Sequence, residues 1–314
     1  MRILVIGAGA LGSLVGGLLS REHDVTIIGR PEQVWVLKRK GLRIEGITHG
    51  EFKPKSHSGV PKGEEYDLII LCVKSYNTDI SLEPLSELLS KGTPILSLQN
   101  GLDNEERIFN FIRSRKMPTH VIGGITCHGV TYKGPGLVKH AGIGDTMIGH
   151  FGTAHGCGED ITLEVDDIAR MFTDAGLEMI TTTCIDREIW AKTIINSAIN
   201  PLTAIVGGPN GVLLENEELN GMARDLISEG VQTANAYGMD LTEEEMIDRT
   251  FKVAERTALN HSSMYQDIKL KRRTEVDSIN GALYEKARQK SLEAPLNQAM
   301  LRLVKGLEVL NLSR

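Results

Sequence analysis

The chain has 314 residues, 41% of them hydrophobic and 24% charged, which is enough for two ordinary domains with a core each. Its net charge of −6 argues against a nucleic-acid-binding surface, which needs a basic patch to neutralise phosphates. The densest basic cluster, Lys269 with Lys271, Arg272 and Arg273, is short and reads as a solvated helix face. Cys72, Cys127, Cys157 and Cys184 are scattered without a CxxC spacing and read as free thiols in a reducing cytoplasm. The nine histidines include none in an HxxxH or HxxE helix pattern, so a metal site has little support.

The apolar opening from Ile3 to Leu19 is divided by glycines into a short strand, Arg2 to Ile6, and a helix from Ala10 to Arg21, so neither a signal peptide nor a membrane span is expected. Val25 to Ile28, Asp67 to Val73 and Pro94 to Leu98 are short apolar runs of the kind buried on both faces in a parallel sheet. Helical patterns over Pro31–Lys40 and Ile80–Ser90 lie between them, and the alternation predicts a doubly wound α/β sheet. From Val121 to Gly152 glycine-rich alternating segments predict antiparallel strands appended to that sheet, followed by one more βα-like unit. After Ile185 the patterns are helical: Glu188–Ala204, Asn216–Tyr237, Glu243–Ala258, Arg272–Gln289 and Pro295–Asn311. A boundary near Thr183 therefore separates an N-terminal domain, 1–183, from a C-terminal all-helical domain, 184–314.

Gly7, Ala8, Gly9, Ala10, Leu11 and Gly12 form a G-x-G-x-x-G loop directly between the first strand and the first helix. Gly7 permits the tight turn, Gly9 lets backbone approach a pyrophosphate, Gly12 allows close helix packing, and the helix N-terminus offers unpaired N–H groups to the anion. A dinucleotide is the expected cofactor. The second strand ends in Gly29-Arg30 where an NAD-binding version carries an acid for the ribose hydroxyls. Arg30 suits a 2′-phosphate, which favours NADPH over NADH, unless it is simply a surface residue at a strand end. Lys74, in Cys72-Val73-Lys74-Ser75 at a strand's carboxyl end, could reach a cofactor phosphate or a substrate carboxylate, or merely open a solvated loop. Asn100, in Gln99-Asn100-Gly101, could bond the nicotinamide ribose or only favour the turn.

In the helical half, Lys192, Asn196 and Asn200 recur every four residues and share one helix face. Asparagines are poor helix formers, and these are flanked by Ile194, Ile195, Ala198 and Ile199, which points to a partly buried cleft; the alternative is a polar stripe in water. Further on stand Ser263, Glu275 and the Ile279-Asn280-Gly281 run. Reduction of a keto acid needs an acid for the carbonyl oxygen and donors for the carboxylate. Lys192 can be the acid, Asn196, Asn200 and Ser263 can bind substrate oxygens, and Glu275 can orient the lysine or accept from a substrate hydroxyl. His128, after Cys127 near a strand end, could line the cleft but is more often a satisfied structural histidine.

The GAGALG opening, CVKS, LQNG, the W-x-K-x-x-x-N-x-x-x-N helix and the SSM…RRTEVDSINGAL segment stand in an order and at spacings that resemble the ketopantoate reductase (2-dehydropantoate 2-reductase) family over nearly the whole chain. The resemblance implies a Rossmann domain and a helical domain with the active site in the interdomain cleft, and reduction of 2-dehydropantoate to pantoate with NADPH in pantothenate and coenzyme A biosynthesis. It places the general acid on Lys192, with Glu275 as its catalytic partner, substrate contacts on Asn196, Asn200, Ser263 and Asn100, and cofactor contacts on Arg30, Lys74, Asn100 and Glu275. Asp103 stands where a small or neutral residue would be expected. The implied partner is a small keto acid, with no nucleic acid or membrane and compatibility with a homodimer. Two other functions stay open: a related 2-keto acid or 2-hydroxy acid dehydrogenase with another substrate, and a non-catalytic NADP-sensing regulator. The regulator predicts an intact glycine loop beside a degraded Lys192 and Glu275 pair.

Overall fold

A computed structural model describes residues 1–152 and 159–312; Cys157 lies outside the described residues. The chain divides into two compact units, one formed by Met1–Gln99 with Asn104–Ile185 and the other by Asn100–Asp103 with Asp186–Arg314.

The first unit contains, in chain order, β1 (Arg2–Ile6), α1 (Ala10–Leu19), β2 (Asp24–Ile28), α2 (Pro31–Lys40), β3 (Leu42–Gly46), β4 (Gly50–Phe52), β5 (Lys55–His57), β6 (Leu68–Leu71), α3 (Thr78–Leu82), α4 (Ser86–Ser90), β7 (Ile95–Ser97), α5 (Asn104–Ser114), β8 (Val121–Thr126), β9 (Gly129–Gly134), β10 (Leu137–Gly142), β11 (Thr146–His150), α6 (Glu159–Asp174) and β12 (Ile180–Thr181). Its main sheet runs β12-β11-β8-β7-β6-β1-β2-β5, parallel from β5 to β8, with β11 antiparallel to β8. Strand order reverses at β1, which pairs with both β2 and β6, and a parallel sheet binds ligands at such a reversal, beyond its carboxyl edge. The central strands have no polar face because both sides are covered: Ile3, Val5 and Ile70 enter one core cluster, Leu4, Ile69 and Leu71 the other.

The Val121–Gly152 expectation needs correction. Only β8 and β11 join the main sheet; β9 and β10 pair with each other, and β10 runs parallel to β3, making a second sheet ordered β4-β3-β10-β9. This sheet explains why α1 lacks a polar stripe. A Cβ at Gly16 would stand 2.7 Å from Ile27 of the main sheet, and one at Gly17 2.9 Å from Leu42 and Ile44 of the second, so α1 is packed from both sides. The expected Ile80–Ser90 helix is interrupted by a 3₁₀ turn at Glu83–Leu85, because Pro84 offers no N–H and its ring crowds the preceding turn.

The second unit consists of α7 (Ile185–Val206, whose first residue still groups with the first unit), α8 (Val212–Glu215), α9 (Glu217–Asn235), α10 (Glu243–Arg256), α11 (Ser263–Lys269), α12 (Ala282–Gln289) and α13 (Pro295–Leu312). The helix expected from Arg272 begins only at Ala282. Ahead of it, the Thr274 N–H and hydroxyl both donate to Glu308, at 2.7 and 2.6 Å, and a π-helical turn occupies Asp277–Gly281. Among the described residues no helix is long and apolar enough to cross a membrane.

Candidate active site

The glycine loop is shaped by close backbone approach. Gly7 has φ +114°, in the region that favours glycine, and a Cβ there would lie 2.9 Å from the Cys72 carbonyl oxygen at the end of β6. A Cβ at Gly12 would stand 2.0 Å from the Gly7 oxygen, so the first turn of α1 closes over the loop only without a side chain. At Gly9, by contrast, a Cβ would meet nothing within 4 Å. That open side is where a pyrophosphate can approach, and Gly9 starts α1 with no side-chain cap, leaving the first N–H groups of the helix to the anion. Burial pushes the Cys72 thiol up to about 12, so the group beneath the loop stays neutral.

Arg30, two residues after β2, caps α2, with its side chain 70% exposed and its Nε 3.1 Å from Glu32. Its guanidinium is accessible and fits a 2′-phosphate at the adenosine end of a dinucleotide. One residue that motif reading missed joins the two ends of this site. Buried Gln33 donates from Nε2 to the Ala8 carbonyl at 2.7 Å and accepts the Arg30 N–H at Oε1 at 3.0 Å. The signal was present: a glutamine three residues after a helix cap reaches back to the cap's N–H. Gly29 is required for the same reason, since a Cβ there would lie 2.7 Å from that of Ala8. Lys74 is half-buried at the start of the 3₁₀ turn Ser75–Asn77. Gln99, quoted in the LQNG motif but given no role there, locks that turn by donating to the Val73 carbonyl at 2.9 Å and to the Thr78 hydroxyl at 2.8 Å.

In the helical unit Asn100, Lys192 and Glu275 come together. Lys192 Nζ donates to Asn100 Oδ1 at 2.8 Å, which turns the Asn100 Nδ2 toward Glu275 Oε2 at 3.4 Å. The amide therefore bridges a cation and a carboxylate that is only 5% exposed. Asn100 reaches them because its loop belongs to this unit: Leu102 N–H donates to the Ser278 carbonyl at 2.9 Å, and Gly101, with φ +108°, passes so close to Ser278 that a Cβ would stand 2.6 Å away. Along α7 the residues from Trp190 to Asn200 are all buried except Lys192 and Asn196, which are partly exposed. The polar stripe is thus a narrow opening in a helix buried on its other faces, which the fully solvated alternative does not describe. Ser263 is exposed at the first turn of α11. Its neighbour Ser262 caps that helix by accepting the Tyr265 N–H, and its hydroxyl pairs at 2.8 Å with that of Thr203, whose own proton goes back to the α7 carbonyls of Ile199 and Asn200 at 2.8 and 3.2 Å. Ser263 is in this way tied to the Asn200 end of the stripe. His128 packs on His140, Nδ1 to Nε2 at 3.0 Å, at the edge of the second sheet.

The arrangement offers a cation beside an amide and a carboxylate, with two asparagines along the same helix, in one unit, and a dinucleotide cradle in the other. Comparison with known proteins agrees. The family model described as ketopantoate reductase PanE/ApbA matches residues 3–153, and its C-terminal counterpart matches 184–308. A 2-dehydropantoate 2-reductase of Pyrococcus horikoshii is 41% identical over 99% of this chain and 98% of its own length. Among solved structures, a PanE/ApbA family ketopantoate reductase from Ralstonia eutropha superposes with a TM-score of 0.86 at 30% identity, covering 99% of both chains. D-mandelate dehydrogenase in a ternary structure with NADH and anilino(oxo)acetate superposes with a TM-score of 0.91 at 28% identity, also over 99% of both chains. The chain belongs to the ketopantoate reductase family. It is an oxidoreductase whose cofactor is NADP(H) and whose partner is a small-molecule substrate.

Proposed function

We propose that this chain reduces the C2 ketone of 2-dehydropantoate to the alcohol of pantoate, with residues 1–183 carrying the cofactor and 184–314, joined by Asn100, carrying the substrate. The observation that carries this reading is the hydrogen-bonded chain from Lys192 through Asn100 to Glu275. Bound NADPH supplies the hydride that reduces C2. Lys192 supplies the proton that the carbonyl oxygen takes up, so that hydride and proton together convert C=O to CH–OH. Asn100 holds the ammonium in place for donation to the ketone oxygen. Glu275, buried and aligned by the same amide, balances the lysine charge and accepts from a substrate hydroxyl. Asn196 and Asn200, with Ser263 beyond them, offer N–H and O–H donors to the carboxylate, which fixes the face of the ketone presented for reduction. Arg30 selects NADPH, and Lys74 reaches the cofactor's polar groups.

Loss of absorbance at 340 nm with NADPH or NADH tests this, using 2-ketopantoate beside 2-ketoisovalerate and pyruvate. Oxidation of NADPH largely confined to ketopantoate is expected. Equal rates with pyruvate would make the chain a general 2-keto acid reductase, and cofactor binding without oxidation of any of the three would remove the enzymatic reading.

A further inference from the structure

Helix α7 has a proline inside it, Pro201, directly after Asn200. In an α-helix the carbonyl of Ser197 would receive the N–H of residue 201, and proline has none to give. Ser197 is wholly buried, so its carbonyl cannot turn to water. The missing donor comes from another part of the chain: Asn280, also wholly buried, donates from Nδ2 to the Ser197 carbonyl at 3.0 Å. The orientation of this amide follows from its neighbours. The same Nδ2 donates to Asn297 Oδ1 at 3.0 Å, and Asn297 is turned that way because its own Nδ2 donates to Glu229 at 2.9 Å. Glu229 is fixed in turn by the Leu296 and Asn297 N–H groups at 2.8 and 2.9 Å. Asn280 thus faces two acceptors and has to present its NH2 to both.

Asn280 lies in the π-helical turn Asp277–Gly281, which continues directly from Glu275. The Ser278 and Ile279 N–H groups donate to the Glu275 carbonyl, both at 3.1 Å, and Gly281 N–H to the Val276 carbonyl at 2.9 Å. The Ser278 carbonyl in the same turn accepts from Leu102, two residues after Asn100. One short turn therefore meets all three components of the candidate centre: Glu275 by covalent continuity, the Asn100 loop through Ser278, and the Lys192 helix through Asn280. π turns are strained relative to α-helix and recur at functional sites.

We propose that Asn280 is a positioning residue for the reduction: by supplying the hydrogen bond that Pro201 denies to Ser197, it fixes the turn that follows Glu275 and holds the Asn100 loop against the helix carrying Lys192, Asn196 and Asn200. This rests on the reading that those residues carry out the reaction. Asn280 and Pro201 form a matched pair, the proline opening a carbonyl in α7 and the asparagine using it as an anchor.

The test compares wild type, Asn280→Ala, Pro201→Ala and the double variant in thermal melting, ketopantoate kinetics and NADPH affinity by fluorescence. Pro201→Ala returns an N–H to the Ser197 carbonyl from within the helix, so the double variant recovers the part of the stability that Asn280→Ala loses at that carbonyl, while the lost bond to Asn297 is common to both Asn280 variants. A merely structural asparagine would regain its activity at the same time. The positioning role predicts that activity does not return: kcat of the double variant stays about tenfold or more below that of Pro201→Ala, with NADPH affinity unchanged. A double variant equal to Pro201→Ala in kcat overturns the proposal, as does Asn280→Ala with wild-type kcat. Should Asn280→Ala fail to fold, Pro201→Ala and the double variant alone make the same comparison, because neither leaves the carbonyl unmet. Lys192→Ala measured alongside separates the two readings. Wild-type kcat in Lys192→Ala overturns the site and this proposal together, whereas an impaired Lys192→Ala beside a double variant as active as Pro201→Ala overturns only the role of Asn280.

Discussion

The glycine loop and the Lys192 centre are built on opposite principles. In the loop the atoms proposed to meet the cofactor are backbone N–H groups within six consecutive residues, and the close approaches leave no room for side chains at Gly7 and Gly12. In the helical centre the working atoms are side-chain tips brought together over long separations, Asn100 being 92 residues from Lys192 and 175 from Glu275. A site made of backbone is local and survives most changes that spare its glycines. A site made of side chains depends on every contact that sets the register of three distant segments.

That contrast predicts a clean separation of binding from turnover. The largest effect is expected for Lys192→Ala, which lowers kcat at least ~100-fold, the reach of a positioned acid, while NADPH affinity measured directly stays near wild type. Loss of NADPH binding in this variant would break the division between the two sites. Gly12→Ala gives the converse. Its Cβ falls 2.0 Å from the Gly7 oxygen, a backbone clash no rotamer relieves, so the loop must shift. NADPH affinity falls by roughly tenfold or more and stability by ~1–3 kcal/mol, the usual cost of overpacking. Unchanged NADPH binding in a folded Gly12→Ala protein would contradict the role given to the loop. A smaller change follows from Arg30→Ala. The side chain is exposed, and losing one charge-assisted contact to phosphate reduces the NADPH-over-NADH preference by about tenfold while leaving NADH kinetics as they were. An unaltered preference would assign the 2′-phosphate to another cation.

The same contrast explains what could be read from the sequence. The strands β1, β2, β6 and β7, the helices α1 and α2, and the loop between β1 and α1 follow from local periodicity and glycine spacing, so they were legible, whereas the edge strand β5 and the helix α5 were not singled out. The Lys192, Asn196 and Asn200 stripe was legible too, because a repeat of four on a helix needs no tertiary information. The second sheet was not: β9 and β10 have the alternation of strands, but nothing in it says that β10 pairs with β3, about 90 residues earlier. The segment before Ala282 has helical periodicity, and only the Glu308 contact to Thr274 and the π turn show why it does not begin as a helix. Pro201 stands in plain view inside a helical pattern, yet its partner at residue 280 is fixed by packing alone. Assigning Asn100 to the helical unit likewise required the Leu102 to Ser278 bond.

The smallest predicted effect probes the part of the cofactor unit that motifs did not mark. His140 Nε2 stands 3.1 Å from the Gly142 carbonyl and 3.0 Å from His128 Nδ1, and its Nδ1 stands 2.8 Å from the Thr48 hydroxyl; a neutral His140 with the proton on Nε2 donates to the carbonyl and accepts from Thr48. Through the Thr48 contact the pair bridges β10 to the segment following β3. Burial, with His140 beside it, holds His128 below the ordinary histidine value, and burial does the same for His140. A histidine whose folded-state value is depressed binds protons more readily when unfolded, so it favours the folded state above pH ~6.5 and loses that contribution as pH falls below it. The urea midpoint should therefore decline between about pH 7 and pH 5, and the decline should be shallower in His128→Gln, which keeps a polar group there without a titrating ring. Thermal or urea unfolding of both proteins across that range decides it. Parallel declines would place the acid sensitivity elsewhere, whereas a shallower one would show that the second sheet, unmarked by any motif, contributes to the acid response of the first unit.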